Sequence, residues 1–462
     1  MKIDLNKIKK IYFIGIEGAG TSALAQIFKS LGKEVEGSDD GDHFYGPLLK
    51  RKKIRVFPNF KKENLSSDID LVVYSTAFKK DNPELKEAYR RGLKILSYPQ
   101  ALALVFNQKT GIAICGTHGK TTTTALAADL LKNADFAPLA LVGSEVVSWK
   151  GNVLLGEGEY FVLEADEYQN KLKYYNPYIV IVNNIDYDHP DFYKTKKEYQ
   201  EAFVRFLEKL PSWALVIANN DDKNVRKAIK KVKAKVVTFG KNRADFSFQK
   251  AENKAGREFT KFYAFYKNKN LGDFKLKLWG DHNIYNALAV IALGFFLNIK
   301  ITFIKKTLEN FSGTKRRLQL IGRWKGAYLI DDYAHHPTEI KASLKALREV
   351  FPDYYFYCFF HPHSFSRTKK LLNGFAQSFS LADKVIVLDI YGSAREKKGN
   401  IHSKNLVEAI NKKEKEKKSL YIASISEAVF YLKKNIKNKK RFVIITMGAG
   451  DVWKINKKLV KI

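Results

Sequence analysis

The densest chemistry in the sequence lies in Gly116-Thr117-His118-Gly119-Lys120-Thr121-Thr122, set between an apolar run at residues 112–115 and a helix-forming run. A glycine turn leading from a strand into a helix aims backbone amides and the positive end of the helix at one spot, which suits phosphate. Lys120 would reach the terminal phosphates of a nucleotide there, and Thr121 would hold Mg²⁺. A general phosphate loop carries a further glycine five places before its Gly-Lys pair. That place is Ile114 here, so the loop is a shorter variant in which Gly116 makes the turn. Gly-Lys-Thr alone is common in a chain of 462 residues, but its flanking strand and helix favour a phosphate site over a solvated turn.

A metal bound to such a loop needs a carboxylate from a neighbouring strand. Tyr160-Phe-Val-Leu-Glu164-Ala-Asp166-Glu167 provides an apolar strand ending in acids, with Glu164 as the first candidate. A second apolar run, residues 178–182, leads into Asn183-Asn184-Ile-Asp186-Tyr-Asp188-His189-Pro-Asp191. Ligands bind at the C-terminal ends of strands in open parallel sheets, so His189, set among aspartates, is a candidate second metal ligand. Gly15-Ile-Glu17-Gly18-Ala-Gly20 with Ser38-Asp39 after the next strand resembles a dinucleotide fingerprint whose middle glycine is replaced by Glu17. That replacement argues against NAD and leaves a nucleotide diphosphate site, with Asp39 meeting a sugar or base edge.

These residues must be held by elements, and the apolar pattern supplies them. Strand-length runs alternate with amphipathic helical segments almost throughout, the pattern of α/β folds with parallel sheets covered on both faces. Three blocks separate at residues 1–109, 110–313 and 314–462. The first has a strand at 11–16, a helix at 22–31 and a strand near Val35. A helix at 99–106 with the polar stretch 107–110 reads as a linker. The second block runs to a helix at 282–297, and its alternating segment 259–279 reads as an antiparallel insertion. The third has strands at 328–331, 355–360, 385–389 and 442–446.

Net charge is +33, from 81 Lys and Arg against 48 Asp and Glu. Runs such as 50–53 and 412–418 are rich in lysine without the interleaved aromatics of single-strand binders, so the excess reads as a solvated surface and no nucleic-acid partner is expected. No apolar run reaches spanning length, and the two cysteines, Cys115 and Cys358, lie in core strands as reduced thiols. A cytoplasmic protein with no membrane partner, monomer or weak homodimer, is expected.

Taken in order, Gly116-Thr-His-Gly-Lys-Thr-Thr122, Glu164-Ala-Asp-Glu167, Asp188-His189, His282-Asn283-Ile-Tyr-Asn286-Ala287, Arg316-Arg317, Asp331-Asp-Tyr-Ala-His-His-Pro-Thr-Glu339 and Gly448-Ala-Gly450 resemble the motif series of the Mur ligases, over nearly the whole chain. The phosphate loop paired with the 331–339 motif resembles the branch that adds L-alanine, as do Asp389-Ile-Tyr391 and Ala394-Arg-Glu396.

The resemblance implies three domains: an N-terminal Rossmann-like one for the UDP moiety, a central P-loop ATPase with a mostly parallel sheet, and a Rossmann-like C-terminal one. It implies ATP and Mg²⁺ as cofactors, and UDP-N-acetylmuramate and L-alanine as substrates joined through an acyl phosphate in peptidoglycan precursor synthesis. Carried onto this chain, Gly116, Thr117, His118, Gly119, Lys120, Thr121, Thr122, Asn286, Arg317 and Asp332 would serve ATP. Thr121, Glu164 and His189 would hold metal. Gly15, Gly18, Gly20, Asp39, Ser75, Tyr333 and His335 would meet the UDP substrate, and Lys120, Glu164, His189, His335 and Arg367 would carry catalysis.

The chain departs from the family pattern in three places. Ser364 stands where arginine is usual, Gly143-Ser144 replaces Gly-Gly, and Asn152-Val153 replaces Asn-Ala. Residues 198–208 also lack the carbamoylated lysine of other Mur ligases, in keeping with the alanine-adding branch. The alternatives are the ligase that recycles free tripeptide onto UDP-N-acetylmuramate, a dehydrogenase, and a nucleic-acid-stimulated ATPase. A dehydrogenase leaves the phosphate loop without work, and the ATPase lacks residues placed to read a strand.

Overall fold

The computed structural model describes residues 3–41, 45–78, 81–251, 258–392, 396, 398–414, 418–436 and 441–460. Ala394 and Arg395 of the motif noted above, and part of the 412–418 lysine run, lie outside the described residues.

The described strands form three sheets. The first contains β1 (Lys10–Ile14), β2 (Glu34–Ser38), β3 (Arg55–Phe57), β4 (Leu71–Tyr74) and β5 (Lys94–Ser97), all parallel, in the order β3-β2-β1-β4-β5. The order reverses direction at β1, and the crevice beyond the C-terminal ends of β1 and β4 is where such a sheet binds ligands. Gly15 closes the end of β1 at φ +78°, and its amide donates to the Ser38 carbonyl at 2.9 Å. A Cβ at Gly15 would meet the Phe78 ring at 2.3 Å, so both backbone angle and space require glycine.

The second sheet has ten strands: β6 (Thr110–Cys115), β7 (Leu139–Val146), β8 (Gly151–Leu154), β9 (Tyr160–Glu164), β10 (Ile179–Val182), β11 (Leu215–Asn219), β12 (Lys235–Gly240), β13 (Phe246–Lys250), β14 (Thr260–Tyr266) and β15 (Lys269–Leu276). Their order is β15-β14-β13-β12-β11-β10-β6-β9-β7-β8. The middle strands are parallel, and β6, β9 and β10 are buried almost throughout, as expected of strands covered on both faces. The alternating segment 259–279 is antiparallel, as expected. It is the hairpin β14–β15, antiparallel to β13, and it forms one edge of this same sheet.

The third sheet contains β16 (Gln319–Trp324), β17 (Ala327–Asp332), β18 (Tyr355–Phe360), β19 (Lys384–Val387), β20 (Ser419–Tyr421) and β21 (Phe442–Met447), in the order β16-β17-β21-β18-β19-β20. Only β16 is antiparallel to its neighbour.

The connection between the first two sheets is anchored rather than loose. In the helix Tyr98–Phe106, Phe106 is fully buried and packs edge-on against Phe161 and Tyr175, both at 5.4 Å. Burying one such ring contributes roughly 1.5–3 kcal/mol. The polar stretch after it is tied down too: Asn107 Nδ2 donates to the Tyr174 carbonyl at 2.9 Å, and Thr110 already starts β6. The second connection is held in strand fashion. The Val147 amide donates to the Gly313 carbonyl at 3.1 Å, and the Lys315 amide donates to the Glu145 carbonyl at 2.8 Å. Thr314 forms an antiparallel bridge with Val146.

Among the described residues, no helix is long and apolar enough to cross a membrane.

Candidate active site

The phosphate loop sits between β6 and the helix Lys120–Asn133. That helix buries Thr121 to Ala128 with Leu130 and Leu131, so its first turn is pinned under the sheet. Gly119 starts the helix at φ +79°, and a Cβ there would lie 2.5 Å from Asn286 Oδ1. Asn286 in turn donates to Asn283 Oδ1 of its own helix, Asp281–Phe296, at 3.0 Å and accepts from Thr123 Oγ1 at 3.1 Å, which fastens that helix to the first turn after the loop.

The ammonium of Lys120 donates to the Gly116 carbonyl at 2.5 Å, to the Thr117 carbonyl at 3.2 Å and to Glu167 Oε2 at 3.0 Å. Burial works against its charge, but Glu167, Asp166 and Glu164 outweigh burial and hold its pKa above the ordinary lysine value. Thr121 Oγ1 donates to Glu164 Oε1 at 2.9 Å, and Glu164 Oε2 accepts from the Gly143 amide at 2.6 Å. The first metal candidates, Thr121 and Glu164, are thus in direct contact.

His189 lies elsewhere around the same centre. Its Nε2 is 3.6 Å from Glu167 Oε1, and Asp166, Glu167 and His189 offer ligand atoms within 4.8 Å of one another. Glu167 is the member that sequence reasoning quoted but left unassigned. It is fully buried, and a buried carboxylate without strong partners would be costly. That these oxygens and one imidazole converge beside a phosphate loop fits a hard divalent cation.

A cavity of about 630 Å³ opens from the loop. Its lining includes His118, Gly119, Thr121, Thr122, Asn286, Arg317 and Asp332, seven of the residues expected to serve ATP. Asp332 Oδ2 is buried with no hydrogen-bond partner among the described residues, and burial raises the Asp332 pKa to about 6. A carboxyl group lining a cavity of this size fits a sugar hydroxyl.

The third sheet delivers the residues after β17. Arg316 and Arg317 both lie over the Tyr333 ring at 5.1 Å, and Tyr333 packs edge-on to His335 at 5.2 Å. The contacts to the central unit are close and polar. Arg367 Nε donates to Asp188 Oδ1 at 2.8 Å, Thr338 Oγ1 donates to Asp186 Oδ2 at 2.6 Å, and His336 Nε2 is 3.1 Å from the Tyr187 carbonyl. Ser364, in place of the family's arginine, caps the helix Phe365–Lys370 by accepting from the Arg367 amide at 3.2 Å.

His118 binds across the same gap, with Nδ1 3.1 Å from Glu339 Oε1 and Nε2 3.3 Å from Asp186 Oδ2. Burial depresses its pKa, but the bonds to Asp186 and Glu339 outweigh burial and raise it to about 9. A histidine raised in the folded state contributes stability that is complete below its unfolded value near 6.5 and is lost as pH rises through about 9. We therefore expect His118→Gln to lower stability by on the order of 3 kcal/mol at pH 6.5 and by far less at pH 9.5. Thermal unfolding of both proteins at the two pH values checks this, and an equal gap at both would contradict it.

The N-terminal candidates form a group of their own on the first sheet. The Ser75 amide donates to the Ile14 carbonyl at 2.9 Å, Gly18 caps the helix Ala19–Ser30, and the Glu17 amide donates to Asp39 Oδ2 at 2.7 Å. Gly20 lets Tyr98 approach, since a Cβ there would sit 2.5 Å from its ring. Gly15, Gly18, Gly20, Asp39 and Ser75 thus gather around the loops that follow β1, β2 and β4.

A phosphate loop whose carboxylates are covered by a second α/β unit, with a third offering its own crevice, defines a nucleotide-dependent ligase. Models of the Mur ligase family catalytic domain, the Mur ligase middle domain and the Mur ligase glutamate ligase domain match residues 10–110, 114–294 and 316–450 respectively. UDP-N-acetylmuramate--L-alanine ligase of Caldanaerobacter subterraneus subsp. tengcongensis is 37% identical over 463 residues, covering 100% of this chain and 99% of its own. The same-named protein of Aquifex aeolicus is 38% identical over 452 residues, covering 97% and 96%. The crystal structure of UDP-N-acetylmuramate-alanine ligase MurC from Thermotoga maritima is similar at TM-score 0.82 and 29% identity, with 98% of each chain covered. The chain belongs to the Mur ligase family.

Proposed function

We propose that this chain joins L-alanine to the carboxylate of UDP-N-acetylmuramate, driven by ATP, in the cytoplasm. The observation that carries this proposal is the meeting of Lys120, Thr121, Glu164, Glu167 and His189 at the phosphate loop, where Thr121 also lines the nucleotide-sized cavity. The full-length similarity to alanine ligases supports the choice of substrates.

In the first step a carboxylate oxygen of the sugar nucleotide bonds to the γ-phosphorus, the bond from that phosphorus to the β-bridging oxygen breaks, and ADP leaves. Lys120 and the loop amides take up the charge on the phosphoryl oxygens. Mg²⁺, held by Thr121 and Glu164 with Asp166, Glu167 and His189 alongside, would supply further neutralisation. In the second step the amine of alanine attacks the acyl phosphate carbon and phosphate departs. His335 suits a hydrogen bond that orients this amine, whose proton leaves with the phosphate: burial, then the charge of Arg367, lower its pKa to about 4, so the ring is neutral. Its Nδ1 lies 3.0 Å from the Tyr333 carbonyl, which fixes the proton there and leaves Nε2 as an acceptor. The Arg367–Asp188 and His118–Glu339 contacts close the third unit over the loop and keep water from the acyl phosphate.

The test is phosphate release from ATP and Mg²⁺ with UDP-N-acetylmuramate and, separately, L-alanine, glycine, L-serine or L-Ala-γ-D-Glu-meso-diaminopimelate. Release that requires both the sugar nucleotide and L-alanine is expected. Release only with the tripeptide would move the assignment to a recycling ligase, and release with none of them would reject a muramyl substrate.

A further inference from the structure

The helix Lys196–Glu208 follows the Asp188-His189 motif. Thr195 caps it, accepting from the Glu198 amide at 3.1 Å while Glu198 Oε2 accepts from the Lys194 amide at 2.8 Å. Its buried stripe is Tyr199, Ala202, Phe203, Phe206 and Leu207, the spacing of an amphipathic helix on a core. By pattern alone Tyr199 is one more core aromatic. Its ring does pack edge-on against Tyr187, Tyr193 and Phe203 at 6.1, 5.2 and 5.3 Å.

The hydroxyl, however, reaches out of that core into the reaction centre. It lies 2.9 Å from Glu167 Oε1 and 2.8 Å from Thr117 Oγ1, and Tyr199 has no exposed surface. Proton placement decides the directions. An ionised carboxylate only accepts, so the Tyr199 proton goes to Glu167. The single proton of Thr117 Oγ1 has two acceptors in reach, this phenol oxygen at 2.8 Å and the Asp186 carbonyl at 2.7 Å. Thr117 Oγ1 also accepts from the Asp186 amide at 2.9 Å, so this one phenol links the phosphate loop, the loop after β10 and the carboxylate.

We propose that Tyr199 is a positioning residue for phosphoryl transfer, holding Glu167 in the orientation in which its second oxygen serves the cation site. The proposal rests on the ATP-dependent ligase function proposed above. Glu167 Oε2 is the oxygen that contacts Lys120. When the ammonium of Lys120 is drawn to a nucleotide's phosphates, Glu167 must find its charge compensation in a cation on that side. Tyr199 keeps the other oxygen, Oε1, bonded on the side of His189 Nε2, 3.6 Å from it, and so stops the carboxylate from rotating away from the cation site. Hydrogen bonds to a metal-binding carboxylate act on affinity through orientation, and losing one typically weakens metal binding ~10- to 100-fold.

Tyr199→Phe removes the hydroxyl and keeps the ring, with Phe203→Leu as a packing control that touches no polar group of the centre. Mn²⁺ is titrated into each full-length protein with a non-hydrolysable ATP analogue, and free Mn²⁺ is read by electron paramagnetic resonance. The Mg²⁺ dependence of phosphate release is measured alongside. For Tyr199→Phe we expect the Mn²⁺ dissociation constant and the Mg²⁺ half-saturation both to rise ~10-fold or more, with the KM values for sugar nucleotide and amino acid within about twofold of the parent. Phe203→Leu should leave the metal dependence unchanged. Parent-like Mn²⁺ binding by Tyr199→Phe, or an equal loss in Phe203→Leu, would overturn the assignment. If the parent protein binds Mn²⁺ with the analogue but releases no phosphate with UDP-N-acetylmuramate and L-alanine, the proposed substrates are wrong while the Mn²⁺ titration still decides the role of Tyr199.

Discussion

Lys120→Ala is expected to slow ATP-dependent phosphate release by about 10²–10³-fold or more, the cost of removing one pre-aimed donor from a developing oxyanion. The structure suggests why the loss should be at the upper end. The ammonium is held by two loop carbonyls and Glu167 at the helix start, so it meets a phosphate there by exchanging its contact with Glu167 alone. Truncation also strips Glu167 of its cation, so the variant should unfold at a lower temperature until a divalent ion is added. Stopped-time phosphate assays and thermal melts with and without Mg²⁺ give both answers. A rate within tenfold of the parent would mean that Lys120 does not touch the transferring group.

Arg367→Ala should produce the second large effect, through closure. Arg367, in the helix after β18, and Asp188, in the loop after β10, are 4% and 5% exposed and join at 2.8 Å. The Asp188 charge survives burial because Arg367, and after it His189, hold its pKa well below the usual carboxylate range. Removing one partner of such a pair typically costs 3–5 kcal/mol, because the other charge is left buried and unpaired. That is enough to shift a two-state closure equilibrium by more than about 100-fold. We expect an enlarged radius of gyration in small-angle scattering and a kcat at least ~100-fold lower. A variant as compact and as active as the parent would show that the pair does not govern closure.

The sequence made some of this legible and not the rest, for physical reasons. β6 and the helix after it could be read because a fully buried strand is a continuous apolar run and Gly119 has no side-chain alternative at its angle. Residues 259–279 read correctly as antiparallel, since alternation reports one wet face. Which sheet they join depends on pairing with β13, a non-local choice that periodicity does not encode. β16 was not anticipated: its residues are mostly half-exposed, so its apolar signal is faint.

The site divides in the same way. Thr121 and Glu164 were expected together because a phosphate loop calls for an acid on the next strand, and they touch. Glu167 stood in the same quoted run but lost out to Glu164, since sequence cannot tell which acid at a strand end turns inward. Glu339 lies 221 residues from His118, so their contact belongs to the docked tertiary arrangement alone. Tyr199 was hidden for the opposite reason: its position on an apolar stripe explains the ring completely and says nothing about the hydroxyl.

The paired connector between the second and third sheets has a practical consequence. A hinge is ordinarily the place where a protease cuts and where amide protons exchange within seconds. Here the strand-like bonds of residues 313–315 to residues 145–147 should make the amides of Val147 and Lys315 slow to exchange, and make limited proteolysis pass over this junction. Any swing of the third unit must then carry the tip of the β7–β8 hairpin with it, or else break those bonds first. Glu164 Oε2 is bonded to the Gly143 amide of that same hairpin, so a pull on the connector would be felt at the proposed metal carboxylate through three residues of β7.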